Sequence, residues 1–184
     1  MKQNILLGVT GSIAAYKAAD IANTLTKDGY HVEVILTRGG MEFITPLTFS
    51  TLTKNRVHTD LFEEKYPREV LHISLAQNAD ILLIAPASAD IIGKLANGIA
   101  DDMLSTVTLA VHGIPVYIAP AMNTYMYENP IVQENIRKLI RFGYHIIEPR
   151  EGRLACGDLG RGALAEVSVI ITLIESQLRE SETK

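Results

Sequence analysis

The sequence predicts an α/β fold: a three-layer sandwich in which a parallel sheet is covered by helices on both faces. Three observations carry that expectation. Short continuous apolar runs alternate with stretches of helical period, the pattern of a sheet buried on both sides. The first run feeds directly into a turn of small residues, Gly8-Val9-Thr10-Gly11-Ser12. No linker, repeat or composition break divides the 184 residues. That length suits a single domain, since domains span roughly 100–200 residues.

The elements follow in order. Ile5 to Val9 reads as a first buried strand. Ala14, Ala18, Ile21, Ala22 and Leu25 then recur as one face of a helix, with Ser12 at the expected N-cap and Gly29 at the stop. Val32, Val34 and Leu36 begin a second strand. Thr45-Pro46 opens a short helix, with proline at its favoured first position. Ile81 to Ala85, Ile114 to Ala119 and Tyr144 to Ile147 read as strands three to five. Helices are expected over about 88–97, 101–112, 130–142 and 166–180, the last carrying Ile170, Leu173, Ile174 and Leu178 on one face. Right-handed crossovers complete the sandwich. Two segments, about 55–71 and 149–165, show no period and are expected as lids or binding loops. The terminal residues 182–184 are expected to fray.

Composition narrows the class. Hydrophobic residues make up 47 % and charged residues 21 %, which excludes a disordered or fibrous chain. The net charge of −4 supplies no global attraction to nucleic acid or an acidic membrane. The apolar start is far shorter than a membrane span or a signal h-region. The single cysteine, Cys156, can form neither an internal disulfide nor a Cys-rich zinc site, so a reducing, cytoplasmic setting is expected.

Ligands of open α/β sheets bind beyond the C-terminal strand ends. After the first strand, Gly11 and Ser12 lead into a helix start, whose N–H groups and dipole favour an anion. The turn reads as a phosphate cradle or as a tight packing turn. Later strand ends carry Thr37-Arg38-Gly39-Gly40, Ala85-Pro86-Ala87-Ser88-Ala89-Asp90 and Ala119-Pro120-Ala121-Met122-Asn123. Small residues and hydroxyls at successive strand ends suit a flat ligand with a phosphorylated tail. Flavin mononucleotide fits, as do other nucleotides. The P-loop, the G-x-G-x-x-G fingerprint and the G-x-S-x-G elbow are all absent from the sequence. Arg161 lies one residue too near Cys156 for a phosphatase-type thiol loop.

Five histidines occur, and chemistry alone singles out none of them. His31 and His145 sit at strand starts, and His112 beside a helix end. His58 and His72 lie in or beside the first aperiodic segment. No two have metal-ligand spacing. Cys156 reads either as a small buried hydrophobe or as a loop thiol within Gly152–Gly162, where glycines and charges make a poor core.

Four blocks together resemble the flavin-dependent cysteine decarboxylases, over essentially the whole chain from Ile5 to Leu178. GVTGSIAAYKAADI resembles that family's flavin phosphate turn. PASADIIGKLANGIADDMLST resembles its flavin-contacting loop with two helices. PAMNTYMYENP resembles its Pro-X-Met-Asn-X-X-Met-Trp signature, and ACGDLGRGAL its substrate-covering clamp. Tyr127 stands where the signature has tryptophan. The resemblance implies a single flavoprotein domain with a Rossmann-like, flavodoxin-like sheet.

Within the family, the match implies the branch that converts 4′-phospho-N-pantothenoylcysteine to 4′-phosphopantetheine in coenzyme A synthesis. There the cysteine end is oxidised with FMN to a thioaldehyde, CO2 leaves, and the enethiolate is reduced. The oxidation matters because a thiocarbonyl accepts the electron pair that direct decarboxylation would strand on carbon. The resemblance makes His72 the active-site base and Cys156 the proton donor of the reductive step. It gives Asn123 the substrate carboxylate, with Met122, Ala155 and Gly157 beside the substrate. Gly11, Ser12 and Ile13 would hold the FMN phosphate. Thr37, Ala87, Ser88, Ala89, Asp90 and Ala121 would face the flavin. No metal is implied. Homotrimers are implied, or dodecamers built from them, with flavin sites at subunit contacts. A synthetase on a separate polypeptide is also expected.

The rival expectations are a peptidyl-cysteine decarboxylase of lantibiotic synthesis, which has no need of the clamp cysteine, and a flavin prenyltransferase. A non-catalytic flavin-binding regulatory subunit is a third.

Overall fold

Depth of burial separates the strands that build this molecule from the short ones at its edges. The computed structural model describes residues 2–62, 70–153 and 159–182. The central sheet contains β1 (Asn4–Val9), β2 (His31–Leu36), β3 (Val57–His58), β4 (Ile81–Ala87), β5 (Val116–Pro120) and β6 (His145–Ile146). All pairings within it are parallel, in the order β3-β2-β1-β4-β5-β6. The α/β sandwich expected from the alternating pattern is therefore present.

The side-chain period of two divides the sheet into two faces. Ile5, Leu7 and Val9 of β1 join Ile81, Leu83 and Ala85 of β4 on one face. That face is covered by α1 (Ala15–Lys27), α3 (Pro46–Thr53) and α9 (Val167–Glu182). Leu6, Leu82 and Ile84 point to the other face. It is covered by α4 (Leu71–Asn78), α5 (Ala89–Ala96), α6 (Met103–Ala110) and α8 (Pro130–Arg141). Burying each such aliphatic side chain contributes roughly 1.5–3 kcal/mol. Gly8 is required on the second face, because a Cβ there would strike Leu104. Two single-turn helices, α2 (Arg38–Met41) and α7 (Thr124–Tyr127), follow β2 and β5.

Four sequence expectations need correction or extension. Ser12 is not the N-cap of α1. That position is Ala14, and an extra turn intervenes in which Ser12 Oγ accepts the Ala14 N–H at 3.3 Å. The segment 55–71 contains a sixth strand, β3. With only two residues it shows no period, and side chains hold it to the edge. His58 Nε2 lies 2.8 Å from Glu33, and Asn55 donates to the Val32 carbonyl at 2.8 Å. The Glu33 carboxyl is held below its ordinary value, first by the His58 hydrogen bond. The segment 149–165 is no simple loop. It contains the antiparallel pair β7 (Arg150–Arg153) and β8 (Leu159–Ala163). Finally, α9 extends to Glu182, beyond the expected end at 180.

Other expectations hold. Gly29, at φ +100°, follows the end of α1. Pro46 opens α3. His31 and His145 begin β2 and β6, and His145 stacks on Tyr117 with ring centroids 4.8 Å apart.

Candidate functional site

The strand order reverses between β1 and β4, so a crevice must open beyond their C-terminal ends. Thr10 spans it. Its hydroxyl donates to the Pro86 carbonyl at 2.8 Å and accepts the Ser88 N–H at 2.9 Å. This buried threonine locks the two loops at the switch point together. Sequence reasoning passed over it, although it lies between the glycines of the first turn.

Two adjoining cavities occupy the crevice, of about 840 and 630 Å³. Both fall within the usual range for small-molecule sites. Gly11, Ser88, Ala89 and Met126 line both. Thr37 and Asp90 line the larger cavity. Ser12, Ile13, Ala121, Met122 and Asn123 line the smaller. Ten of the residues chosen from sequence thus meet at one place. Ala87 lies instead beneath the surface, fully buried in β4, where its carbonyl accepts the Ala121 N–H at 3.0 Å. It supports the floor without facing the cavity. His72 lies on α4 and lines neither cavity. Ala155, Cys156 and Gly157 lie outside the described residues.

The floor is built by close backbone approach. A Cβ on Gly11 would stand 3.1 Å from the Gly39 backbone, so the loops after β1 and β2 touch glycine to glycine. Neither the Gly11 nor the Ile13 amide donates to a backbone partner among the described residues. These N–H groups, with the Ser12 hydroxyl, suit the oxygens of a phosphate. Thr37 and Ser88 cap α2 and α5, accepting from Gly40 N–H at 3.1 Å and Ile91 N–H at 3.4 Å. Asn123 caps α7, its side-chain oxygen accepting the Tyr125 N–H at 2.9 Å. That bond fixes the carboxamide oxygen at the wall of the smaller cavity. Ile13, Tyr16, Phe43 and Met126 give the smaller cavity an exposed apolar rim.

The larger cavity contains a charge cluster that sequence reasoning missed. Lys94 Nζ lies 2.8 Å from Asp102, 2.9 Å from Asp101 and 3.5 Å from Asp90. The i, i+4 spacing of Asp90 and Lys94 was its one sequence signal. Burial alone would lower the Lys94 ammonium, but hydrogen bonds to Asp102 and Asp101 outweigh it and hold the group well above its ordinary value. Asp102 also caps α6, accepting the Ser105 N–H at 2.8 Å. Burial pushes its carboxyl up, yet Lys94 and then Ser105 together bring it below its ordinary value. A carboxyl lowered on folding adds stability above its unfolded value, and loses it as pH falls through the folded value. Asp102→Asn keeps the cap and removes the charge. Thermal melting is expected to show a loss of about 1 kcal/mol at about pH 7. The gap to wild type should narrow as the pH falls through the lowered folded-state value of this carboxyl. A gap that widens on acidification would contradict this assignment.

A doubly wound sheet with a small-residue crevice at its switch point defines a nucleotide-binding α/β protein. The chain belongs to the Flavoprotein family, which it matches over residues 1–179. It is 52 % identical over 179 residues to a "probable phosphopantothenoylcysteine decarboxylase" of Streptococcus mutans, covering 97 % of this chain and 100 % of that protein. It is 49 % identical over 178 residues to the coenzyme A biosynthesis bifunctional protein CoaBC of Bacillus subtilis. There the match takes in 97 % of this chain but only 44 % of the relative. Among solved structures, it is similar to a PPC decarboxylase mutant complexed with pantothenoylaminoethenethiol. The TM-score is 0.86 and the identity 33 %, over 95 % of this chain and 97 % of the other. SpaF, an FMN-dependent cysteine decarboxylase, aligns with a TM-score of 0.81 at 30 % identity, over 96 % and 97 % of the two chains.

Proposed function

We propose that this chain is an FMN-dependent decarboxylase that converts 4′-phospho-N-pantothenoylcysteine to 4′-phosphopantetheine in coenzyme A synthesis. One observation carries the reading: the Gly11–Ser12–Ile13 turn and Asn123 line the same cavity of about 630 Å³. A phosphate-holding turn and a carboxylate-orienting amide therefore lie within reach of one bound pair of cofactor and substrate. The residues fit FMN. The Gly11 and Ile13 amides donate to no backbone partner among the described residues and so suit a phosphate, and Thr37, Ser88 and Ala89 offer small or hydroxylic walls.

FMN held by these residues would supply reversible two-electron chemistry at the cysteine end of the substrate. The chain's own groups do the rest. Asn123 holds the carboxylate, Met122 packs beside it, and Ala121 and Ser88 border the flavin. His72 removes a proton from the substrate. Cys156, between Ala155 and Gly157, donates the proton that completes the reductive step.

The placement of His72 supports a homotrimer or a larger homo-oligomer. The base lines neither cavity of its own chain, so it serves a site shared with another copy. No helix among the described residues is long and apolar enough to cross a membrane. We place the reaction in the cytoplasm, where a proton-donating thiol stays reduced.

The test is direct. Purified protein should be yellow and release FMN on denaturation. Incubated with phosphopantothenoylcysteine, it should yield CO2 and phosphopantetheine with no net redox change, and leave a cysteine-ended peptide untouched. Colourless protein that takes up no flavin overturns the reading. Conversion of the peptide to an enethiol would instead favour the peptidyl-cysteine class.

A further inference from the structure

The β7–β8 pair has no core of its own and must be held against the domain by contacts at its edge. Its glycines permit a close approach to α7. A Cβ on Gly162 would collide with the Met122 carbonyl oxygen, and one on Gly160 with the Thr124 side chain. The Met122 N–H donates to the Gly162 carbonyl at 2.9 Å. Gly162, Ala163 and Arg150 of this pair line the smaller cavity together with Ile13 and Ser12. The position of the pair therefore sets the width of that cavity.

Three side chains from three segments meet at the same edge. Arg161 of β8 lies 2.6 Å from Glu148 Oε2. The Tyr127 hydroxyl, at the end of α7, donates to the same oxygen at 3.1 Å. The Arg161 guanidinium carbon also lies 5.7 Å from the centre of the Tyr127 ring. The Tyr127 ring is buried, and its backbone carbonyl is held by Gln133 at 2.7 Å. Arg161 and Glu148 are each about half exposed, so their ion pair alone adds little. The buried tyrosine gives the pair a fixed place, offering a ring face to the cation and a hydroxyl to the carboxylate. Burial, and then the Glu148 carboxylate, push the phenol above its ordinary value, so it remains a donor.

We propose that Tyr127 is a positioning residue: through Glu148 and Arg161 it latches β7–β8 against the Met122–Asn123 loop and so shapes the substrate cavity. The residue that departs from the family signature thereby gains a role of its own. The effect on turnover rests on the decarboxylase reading above; the latch itself does not.

Tyr127→Phe and Glu148→Ala test it in the holoenzyme, by hydrogen–deuterium exchange and by kinetics. Glu148 is exposed, so its loss leaves both cores intact. Both variants should keep wild-type FMN content. Amide exchange over 159–163 should accelerate about fivefold in each, while β1 and β4 stay protected. The KM for phosphopantothenoylcysteine should rise about fivefold, with kcat nearly unchanged. The double variant should be no worse than Glu148→Ala alone, because the hydroxyl removed by Tyr127→Phe bonds only to the carboxylate that Glu148→Ala already removes. Unchanged exchange at β8, a rise spread equally over β1 and β4, or additive effects in the double variant would each overturn the latch. If the wild type does not turn over phosphopantothenoylcysteine, the decarboxylase reading fails, and the exchange data still decide the latch.

Discussion

Subunits carrying His72→Asn and subunits carrying Asn123→Ala are each expected to be inactive alone and to regain turnover when combined. Asn123 lines its own chain's cavity, whereas His72 lies on α4, on the sheet face covered by α4, α5, α6 and α8, and lines neither cavity. If both residues act on one substrate, they come from different copies. Loss of a general base typically costs about 10²–10⁴-fold, so each parent should fall at least about a hundredfold. In equal mixtures of a cyclic oligomer, about one quarter of the shared sites receive an intact His72 and an intact Asn123. Co-expression of two tagged variants, followed by purification through both tags, gives the species to assay. A double variant co-expressed with itself is the control. In a cyclic trimer every species carrying both tags has one such site in three, so recovery to about a third of wild-type turnover supports the shared site. Co-purified variants that stay inactive would place His72 outside the mechanism, or return it to its own chain's site.

The second large effect concerns Cys156. Cys156→Ser should still release CO2 but form phosphopantetheine at least about a hundredfold more slowly, so that an oxidised enethiol accumulates. A serine hydroxyl is a far weaker acid than a thiol, whose ordinary pKa is about 8.5, and cannot supply the proton at a comparable rate. Cys156 lies outside the described residues, in the sequence that connects β7 to β8, whose ends Arg153 and Leu159 are paired. Mass spectrometry separates the products, and carbon dioxide capture counts the first half of the reaction. Normal phosphopantetheine output would remove Cys156 from the chemistry.

The sequence made the centre of this fold legible and its edges obscure, for a physical reason. β1 and β4 are buried on both faces, so nearly every residue is apolar and the strands stand out as runs. The same holds for the expected helices, whose inner faces repeat at helical spacing. β3 has two residues and β7–β8 is rich in glycine and charge, so neither carries a hydrophobic period. Both are fixed by contacts distant in sequence, such as His58 with Glu33 and Gly162 with Met122.

The site divides in the same way. Gly11, Ser12, Ser88 and Asn123 were legible because strand ends are where ligands bind. Ser12 was misread as a cap because an extra turn precedes α1. His72 could be chosen only by resemblance, since nothing in its local chemistry sets it apart from the four other histidines. Lys94 with its three carboxylates was hidden because Asp101 and Asp102 approach it from the start of the next helix.

The depth of the strands also gives the crevice a gradient of stiffness. Its floor hangs from β1 and β4, which are buried on both faces and belong to the part of the molecule that opens last. Its walls hang from a two-residue edge strand on one side and a strand pair outside the main sheet on the other. A ligand bound here rests on an unyielding base and departs through the sides. Residence time is thus governed by the periphery, and tightening either wall should slow exit without altering what the base recognises.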